Sequence, residues 1–273
     1  LSNDIKLNIL KEKSNNKNLS LVKNINQARI DSREVKKNDI FFAIKGKRND
    51  GNKYVSESFK KKASLVVLNK IQKKFNNKKQ ILVNNSLSFL TNISKIFRKN
   101  IDTKIIAITG SCGKTTLKEL LGNSLKKISK VTISPKSFNN KYGVPLSLFN
   151  LSQNDNFGVL EVGMDKKGEI DYLSKIIQPD VSVITNINYA HAKNFKNIKD
   201  IALAKSEIID NTKSSGSVVL NADDDFFEFH KAKALNKKLK VISFGIKNKK
   251  SDIKFLKIKK SKKFYEIMVK QNN

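Results

Sequence analysis

The segment from Gly110 to Thr116 has the residue types and the spacing of a phosphate-binding loop. It reads Gly-Ser-Cys-Gly-Lys-Thr-Thr. Glycines let the backbone curl so that its N–H groups point at phosphate oxygens. Lys114 can reach the outer phosphates of a nucleotide, and the hydroxyl of Thr115 can hold Mg2+. We therefore predict that nucleotide phosphates bind at Gly110, Ser111, Cys112, Gly113, Lys114, Thr115 and Thr116.

The residues on either side of the loop predict the strand and the helix that such a loop requires. An apolar run from Lys104 to Thr109 is typical of a buried strand. The loop is two residues shorter than the common G-x-x-x-x-G-K-[ST] form, so an ordinary glycine turn into a helix is the alternative. That alternative leaves the lysine and the threonines unexplained. After the loop, apolar residues recur at helical spacing: Leu117, Leu120, Leu121, Leu125 and Ile128.

Three ionisable side chains further along the chain could add to this site. Glu161 lies within an apolar run, where a buried carboxylate needs a partner, and a metal ion facing the phosphates is one such partner. His191 follows a predicted strand, and ligands of open α/β sheets bind at the carboxyl ends of strands. Lys205 falls in the middle of the apolar face of a predicted helix. The alternatives are a structural histidine and a lysine that snorkels to the surface.

The periodicity of the chain predicts an α/β protein with two domains. Residues 1–84 are expected to form a small N-terminal α/β domain, and residues 85–273 a larger domain with a mostly parallel sheet around the phosphate loop. The predicted strands of the first domain are 40–44, 63–68 and 81–83, with a helix at 54–62. The second domain is predicted to have helices at 86–99 and 198–211 and a short helix that ends before Pro179. Its predicted strands are 131–133, 157–162, 181–185, 216–220 and 240–244, with an antiparallel edge hairpin at 253–269.

The composition limits the possible partners and the compartment. The chain has 273 residues and a formal net charge of +31, which alone would suggest nucleic acid or an anionic membrane. Only four of the 55 basic residues are arginine, and the lysines are spread along the whole chain, so we predict no nucleic-acid partner. Cys112 is the only cysteine, which is typical of a reducing cytoplasm. No apolar run reaches about 18 residues, so no membrane span is predicted.

Several motifs together resemble the Mur ligases of peptidoglycan synthesis. The T-G-x-x-G-K-T-T loop is similar to that family's ATP loop. The segment N-N-x-x-G-x-P-L is similar to a segment found in one branch of the family, whose substrates are UDP-N-acetylmuramoyl-tripeptide and D-alanyl-D-alanine. The resemblance implies a central ATPase domain and an ATP-dependent reaction through an acyl phosphate. It rests on F-N-N-K-Y-G-V-P-L (138–146), E-V-G-M-D-K-K-G-E-I (161–170), N-I-N-Y-A-H-A-K-N-F (186–195) and A-K-S-E-I (204–208).

The resemblance also implies roles for individual residues. Thr115 and Glu161 would hold one Mg2+, and His191 and Lys205 would serve a second metal ion, with Lys205 carbamylated by CO2. Lys114, His191 and Lys205 are therefore the predicted catalytic residues. Asn139 or Asn140 would contact the substrate phosphate or metal-bound ligands, and the sequence does not distinguish the two asparagines.

The N-terminal domain resembles the UDP-sugar-binding domain of the same family. The motifs are D-S-R at 31–33, F-F-A-I-K-G at 41–46 and D-G at 50–51. The resemblance implies that Ser32 and Arg33 lie near the uridine nucleotide. Arg33 and Asp50 could equally be ordinary surface charges. The predicted substrate-binding residues of this domain are Ser32, Arg33, Gly46, Asp50 and Gly51.

The chain ends before two features of the family pattern. An H-N-x-x-N segment near the adenine and a third, C-terminal domain do not occur before Asn273. We therefore expect a fragment, or one half of a split enzyme whose partner is a separate chain with the C-terminal portion. Two rival hypotheses remain open at this point. One is another ligase of the superfamily, such as the ligase that adds the third peptide residue, folylpolyglutamate synthetase or cyanophycin synthetase. The other is a non-catalytic protein that binds nucleotides or nucleic acid.

Overall fold

The chain folds into two compact units. The computed structural model describes residues 4–14, 19, 22, 24–47, 49–189, 194–248, 250–261 and 264–271. The first unit comprises Leu1–Asp102 with Pro145–Asn154, and the second comprises Thr103–Val144 with Asp155–Asn273. Both units contain a parallel sheet with helices, so the predicted α/β class is confirmed. Within the described residues no helix is long and apolar enough to cross a membrane.

The first unit is built on a four-stranded parallel sheet with the order β1-β2-β3-β4. Successive side chains of a strand point to opposite faces, and β2 shows this with two adjacent phenylalanines. Phe41 packs in the cluster that includes Val55 and Val66, whereas Phe42 contacts the ring of Phe149. The elements are α1 (Asp4–Lys13), β1 (Ala28–Arg29), β2 (Ile40–Phe42), α2 (Val55–Lys60), β3 (Leu65–Leu68), β4 (Gln80–Leu82) and α3 (Ser86–Lys99).

Helix α3 belongs to the first unit, so this unit extends beyond the boundary expected at residue 84. The ring of Phe97 on α3 packs edge-on against Phe149, with ring centroids 5.7 Å apart. The Ser94 hydroxyl donates to the carbonyl of Pro145 at 2.8 Å. The partners of α3 therefore include a segment that is distant in sequence. Such a contact is invisible to a boundary drawn from local composition.

The second unit is an eight-stranded sheet with the order β12-β11-β10-β9-β8-β5-β7-β6. Every neighbouring pair is parallel except β11 and β12, which form the predicted antiparallel edge hairpin. Its strands are β5 (Lys104–Thr109), β6 (Val131–Ile133), β7 (Phe157–Glu161), β8 (Val181–Ile184), β9 (Ser217–Asn221), β10 (Lys240–Gly245), β11 (Ile253–Lys260) and β12 (Tyr265–Gln271). Its helices are α4 (Lys114–Leu125), α6 (Glu169–Ile177), α7 (Ile198–Asp210) and α8 (Phe227–Asn236), and α5 (Gly143–Phe149) joins the two units in sequence.

The apolar face predicted for α4 is partly wrong. Leu117, Leu121 and Leu125 pack against the strands, as expected of residues spaced four apart. Leu120 and Ile128, however, are 64% and 80% exposed, and α4 ends before Ile128. The buried face is completed instead by Gly122 and by the fully buried Lys118. A lysine in this position breaks the apolar pattern that the sequence prediction relied on.

Helices α1, α5 and α8 were not predicted. Helix α8 buries Phe227, His230 and Ala234, which recur on one face, but the lysines and polar residues between them weaken the periodic signal. Helix α5 starts where the sequence indicates only a turn. Its Pro145 lies in the first helical turn, where the missing N–H costs no intrahelical hydrogen bond.

Candidate nucleotide and substrate site

The phosphate loop depends on two glycines with positive φ. Gly110, directly after β5, has a φ of 144°, and Gly113, the N-cap of α4, has a φ of 80°. A Cβ on Gly110 would also overlap the side chain of Thr185, whereas Gly113 faces open space. Gly110 is therefore required by both conformation and space, and Gly113 by conformation alone. Helix α4 begins at Lys114, within the loop motif, so its N-terminus faces the predicted phosphates.

Hydrogen bonds fix the phosphate loop to the chain that follows β8. Ser111 donates its backbone N–H to the carbonyl of Asn186 at 2.9 Å, and its hydroxyl donates to the carbonyl of Asn188 at 2.8 Å. The backbone N–H of Cys112 donates to the side chain of Asn186 at 3.0 Å, and the Thr185 hydroxyl donates to the Cys112 carbonyl at 2.7 Å. Sequence reasoning missed this role of the asparagines, although the N-I-N motif was the signal that could have found it.

Two lysines donate hydrogen bonds to the same backbone carbonyl of the loop, that of Gly110. Lys114 donates from Nζ to the carbonyls of Gly110 and Ser111 at 2.9 and 3.2 Å. Lys205 on α7 donates from Nζ to the carbonyl of Gly110 at 3.0 Å. The structure thus brings both predicted lysines to the phosphate loop. His191, the third predicted catalytic residue, lies outside the described residues.

Lys205 is only 2% exposed, which excludes the snorkelling alternative. Its pKa falls from the ordinary 10.5 to about 7, mainly because burial penalises the charged form and secondly because the ammonium of Lys114 lies close by. Cys112 opposes this shift without reversing it. Lys205 therefore has a substantial neutral fraction at neutral pH, and a neutral amine is a nucleophile.

Glu161, at the end of β7, is the buried carboxylate of the site, with 1% exposure. It accepts from the Thr115 hydroxyl at Oε2 and from the Asn139 amide at Oε1, both at 2.8 Å. No lysine, arginine or histidine of the described chain forms an ion pair with it. A buried carboxylate that meets only neutral donors is a favourable place for a cation.

The oxygen atoms of Glu161 and Thr115 fit Mg2+. This ion prefers oxygen ligands and is usually bound by one or two carboxylates together with substrate phosphates. Glu161 supplies a carboxylate and Thr115 a hydroxyl oxygen, and the Asn139 side-chain N–H holds the carboxylate in place. Within the described ranges no group of three or more His, Cys, Asp or Glu side chains could hold a metal ion. A Mg2+ here would therefore also need ligands from the substrate phosphates.

The structure distinguishes the two adjacent asparagines. Asn139 contacts Glu161, and its backbone carbonyl accepts from the N–H of Gly163 at 2.8 Å. The side-chain oxygen of Asn140 instead accepts from the N–H groups of Tyr142 and Gly143 at 3.0 and 3.1 Å, at the start of α5. Asn139 therefore meets the buried carboxylate of the site, whereas the Asn140 side chain stabilises the turn at the start of α5.

A cavity of about 690 Å³ opens beside the phosphate loop. Lys114, Asn139, Asn140 and Glu161 are among the residues that line it. The connection between β7 and α6, residues 163–168, forms one wall, and Tyr142 and Tyr172 contribute aromatic surface. A group bound here would lie next to the side chains that face the predicted phosphates.

A second cavity, of about 510 Å³, lies in the first unit. It brings together three of the predicted substrate-binding residues, Ser32, Arg33 and Gly51. Sequence reasoning missed Glu57, which accepts from the Ser32 hydroxyl at 2.6 Å, and Tyr54, which also lines the cavity. Neither residue belongs to a motif that signals this role.

The remaining predicted residues of the first unit have other surroundings. Gly46 and Asp50 do not line the cavity of the first unit. The carboxylate of Asp50 accepts from the N–H of Asn52 at 3.0 Å and so caps the short helical turn that begins at Gly51. A hydrogen bond from the Asn52 side-chain amide at 2.6 Å, together with that backbone N–H, lowers the pKa of Asp50. Arg33 is paired with the carboxylate of Asp31 at 2.7 Å, which lowers the pKa of Asp31.

Comparison with known families agrees with this architecture. The family profile described as Mur ligase middle domain matches residues 108–273, which includes the phosphate loop, Glu161 and Lys205. The chain belongs to the Mur ligase family. The matched region begins within β5 and covers most of the second unit.

Individual Mur ligases resemble the chain over most of its length. The UDP-N-acetylmuramoyl-tripeptide–D-alanyl-D-alanine ligase of Buchnera aphidicola is 36% identical over 226 residues, 83% of this chain and 49% of that protein. A crystal structure of MurF from Acinetobacter baumannii is 30% identical with a TM-score of 0.78, and the match covers 90% of this chain and 53% of that one. MurF from Thermotoga maritima in complex with ADP is 29% identical with a TM-score of 0.72, covering 89% and 55%. The chain thus spans about half the length of the relatives it matches.

The burial of Lys205 in this Mur ligase predicts a pH-dependent stability. Between pH 7 and 10.5 the unfolded chain binds the proton that the folded chain has released, so stability rises with pH in this window. Below pH 7 both states are protonated and the cost of burial is fully present. We expect Lys205→Met to raise the free energy of unfolding at pH 7 by about 1–3 kcal/mol. The gain should shrink as the pH approaches 10.5.

Urea unfolding of the wild type and the variant at pH 7, 8.5 and 10 measures this difference. Lys199→Met, at an exposed position on the same helix, is the matched control and should show no such trend. A gain from Lys205→Met that stays constant from pH 7 to pH 10 would contradict the shifted pKa.

Proposed function

We propose that this chain provides the ATP-binding and UDP-substrate-binding parts of a ligase that joins D-alanyl-D-alanine to UDP-N-acetylmuramoyl-tripeptide in peptidoglycan synthesis. The observation that carries the proposal is the cluster of Lys114, Thr115, Glu161 and Lys205 around one phosphate loop. The names of relatives at 36% identity support the choice of substrates. The proposal assigns the reaction to the cytoplasm, where ATP and UDP-linked precursors are available.

The proposed reaction transfers the γ-phosphoryl group of ATP to the terminal carboxylate of the tripeptide. ADP leaves, and the amine of D-alanyl-D-alanine then attacks the acyl phosphate, so that an amide bond forms and inorganic phosphate departs. The protein contributes mainly by positioning the reactants and neutralising charge. The backbone N–H groups of the loop and the Lys114 ammonium would bind the phosphates. Mg2+ held by Thr115 and Glu161 would offset further phosphate charge.

The cavity beside the phosphate loop is the proposed site of the tripeptide carboxylate. The carboxylate must approach the γ-phosphate, and this cavity opens on Lys114 and Glu161. The cavity that Ser32, Arg33 and Gly51 line in the first unit is the proposed uridine site. The domain assignment follows from this division: the N-terminal part binds the UDP-sugar, and the phosphate-loop part binds ATP.

The proposed role of Lys205 is that of a carbamate. A neutral amine attacks CO2 and releases a proton, and the resulting carbamate anion would be a ligand for a second Mg2+, for which His191 is the other predicted ligand. The burial and lowered pKa of Lys205 support this role, because a protonated amine cannot react with CO2. The complete reaction also needs the C-terminal portion that the relatives carry, supplied in the same or in a separate chain.

Loss of the phosphate-loop lysine should weaken ATP binding. We expect Lys114→Ala to weaken the affinity for Mg-ATP by at least about tenfold, since charge-assisted contacts to phosphate contribute about 1.5–3 kcal/mol each. Isothermal calorimetry measures the affinity, and circular dichroism checks the fold. Lys127→Ala, at an exposed position just after α4, should bind like the wild type. Equal affinities of the wild type and Lys114→Ala would contradict a nucleotide site at this loop.

Uridine nucleotides should bind to the first unit. We expect UDP to shift the amide NMR resonances of Ser32, Arg33 and Gly51, because these residues line one cavity. ADP at the same concentration is the control and should leave them in place while it shifts the phosphate loop. Identical shifts with both nucleotides at Ser32 and Arg33 would mean that no uridine site exists there.

The ligase reaction itself tests the whole proposal. Together with the C-terminal portion, the chain should release phosphate only when ATP, UDP-N-acetylmuramoyl-tripeptide and D-alanyl-D-alanine are all present. Lys205→Ala should lose most of this activity, about 100-fold or more, as expected when a metal ligand is removed. Lys205→Glu should retain part of it by supplying a carboxylate. Full activity of Lys205→Ala would refute the carbamate, and release without either peptide substrate would refute the proposed reaction.

A further inference from the structure

The wall of the cavity beside the phosphate loop is held by carboxylates that the proposed chemistry does not use. We call residues 163–168 the pocket loop; they connect β7 to α6 and line that cavity. Glu169, the first residue of α6, accepts at Oε2 from the backbone N–H groups of Asp165 and Lys166, at 2.6 and 3.2 Å. The middle of the pocket loop is thus fixed to the start of α6.

Glu207, on α7, fixes the end of the same loop. Its carboxylate accepts from the N–H of Gly168 at 2.8 and 3.2 Å and from the N–H of Asp171 at 2.9 Å. Gly168 is the N-cap of α6 and has a φ of 87°, a conformation that favours glycine. A glycine N-cap has no side chain to satisfy the first N–H groups of its helix. Glu207 supplies the capping carboxylate from another helix, where the α6 dipole also favours negative charge.

Helix α7 contacts both sides of the proposed active site. Lys205 and Glu207 are two residues apart, a turn of about 200° around the helix axis, so their side chains leave α7 on nearly opposite sides. Lys205 reaches the carbonyl of Gly110 in the phosphate loop, whereas Glu207 reaches the pocket loop. Asn211 adds a further bond between the helices, from its amide to the Asp171 carboxylate at 3.0 Å. The position of α7 therefore sets the separation between the phosphate loop and the pocket loop.

We propose that Glu207 is a positioning residue for the peptide part of the substrate: through the N–H groups of Gly168 and Asp171 it holds the pocket loop where the tripeptide carboxylate must bind. The inference rests on the proposed function, which assigns that carboxylate to this cavity. It also explains why the A-K-S-E-I segment carries a glutamate two residues after the lysine. The lysine serves the phosphate side of the site, and the glutamate serves the peptide side.

Amide hydrogen exchange of the 273-residue chain tests the structural half of the inference. In Glu207→Ala, exchange at Gly168 and Asp171 should accelerate by about tenfold, as expected when a helix cap is lost. Asp165 and Lys166 should change much less, because Glu169 holds them. Glu207→Gln keeps an acceptor oxygen and should lie between the wild type and Glu207→Ala. Glu228→Ala is the matched control, because Glu228 is 79% exposed on α8.

Binding of a matched pair of ligands tests the functional half. Calorimetry compares UDP-N-acetylmuramoyl-tripeptide with UDP-N-acetylmuramic acid, which has the same nucleotide and sugar but no peptide. We expect Glu207→Ala to lose about tenfold in affinity for the tripeptide compound and nothing for the shorter one, with partial recovery in Glu207→Gln. Circular dichroism verifies that each variant is folded.

The possible outcomes separate this inference from the proposed function. Wild-type chain that binds neither compound would refute the proposed substrate. Wild-type chain that prefers the tripeptide compound, together with a Glu207→Ala variant that keeps this preference, would refute only the role of Glu207. Faster exchange at Gly168 without loss of tripeptide affinity, or equal losses for both ligands, would reduce Glu207 to a structural cap and overturn the inference.

Discussion

The carbonyl oxygen of Gly110 is the contact around which the nucleotide site is arranged. It accepts from Lys114 at 2.9 Å and from Lys205 at 3.0 Å. Burial penalises the charged form of Lys205, and the ammonium of Lys114 on the same carbonyl adds repulsion. The result is a lysine whose pKa falls to about 7. This arrangement requires a glycine, because a side chain at Gly110 would collide with Thr185.

The parallel sheet explains how distant residues reach this contact. Strands β7, β5 and β8 are neighbours and run in the same direction. Their carboxyl ends therefore meet at one edge, which is where ligands of open α/β sheets bind. Gly110 follows β5, Glu161 ends β7 and Thr185 follows β8. Hydrogen bonds join these strand ends. The shape of the phosphate loop therefore depends on the end of β7 and on the chain after β8 as well as on the loop's own sequence.

Several acidic residues of this lysine-rich chain accept hydrogen bonds from the backbone. The chain has 24 acidic residues against 55 basic ones, so surface ion pairs cannot neutralise it. Glu207, Glu169 and Asp50 accept from backbone N–H groups at turns and helix starts. Burial alone would raise the pKa of Asp223, but the N–H groups of residues 246–248 lower it overall. The carboxylates thus fix connections between elements, and most lysines remain on solvated faces.

The sequence by itself determined the phosphate loop, the α/β class, the edge hairpin and the central strands, because these depend on local periodicity and on glycine spacing. It also predicted that Lys205 points inward, since a lysine in an apolar helical face is visible in the pattern. Only the tertiary structure decided that Asn139 rather than Asn140 faces Glu161, that Asp50 caps a turn and that α3 belongs to the first unit. The capping role of Glu207 and the burial of Lys118 were equally hidden. These features arise from contacts between residues far apart in the chain, and no local pattern encodes which carboxylate, carbonyl or ring a side chain will meet after folding.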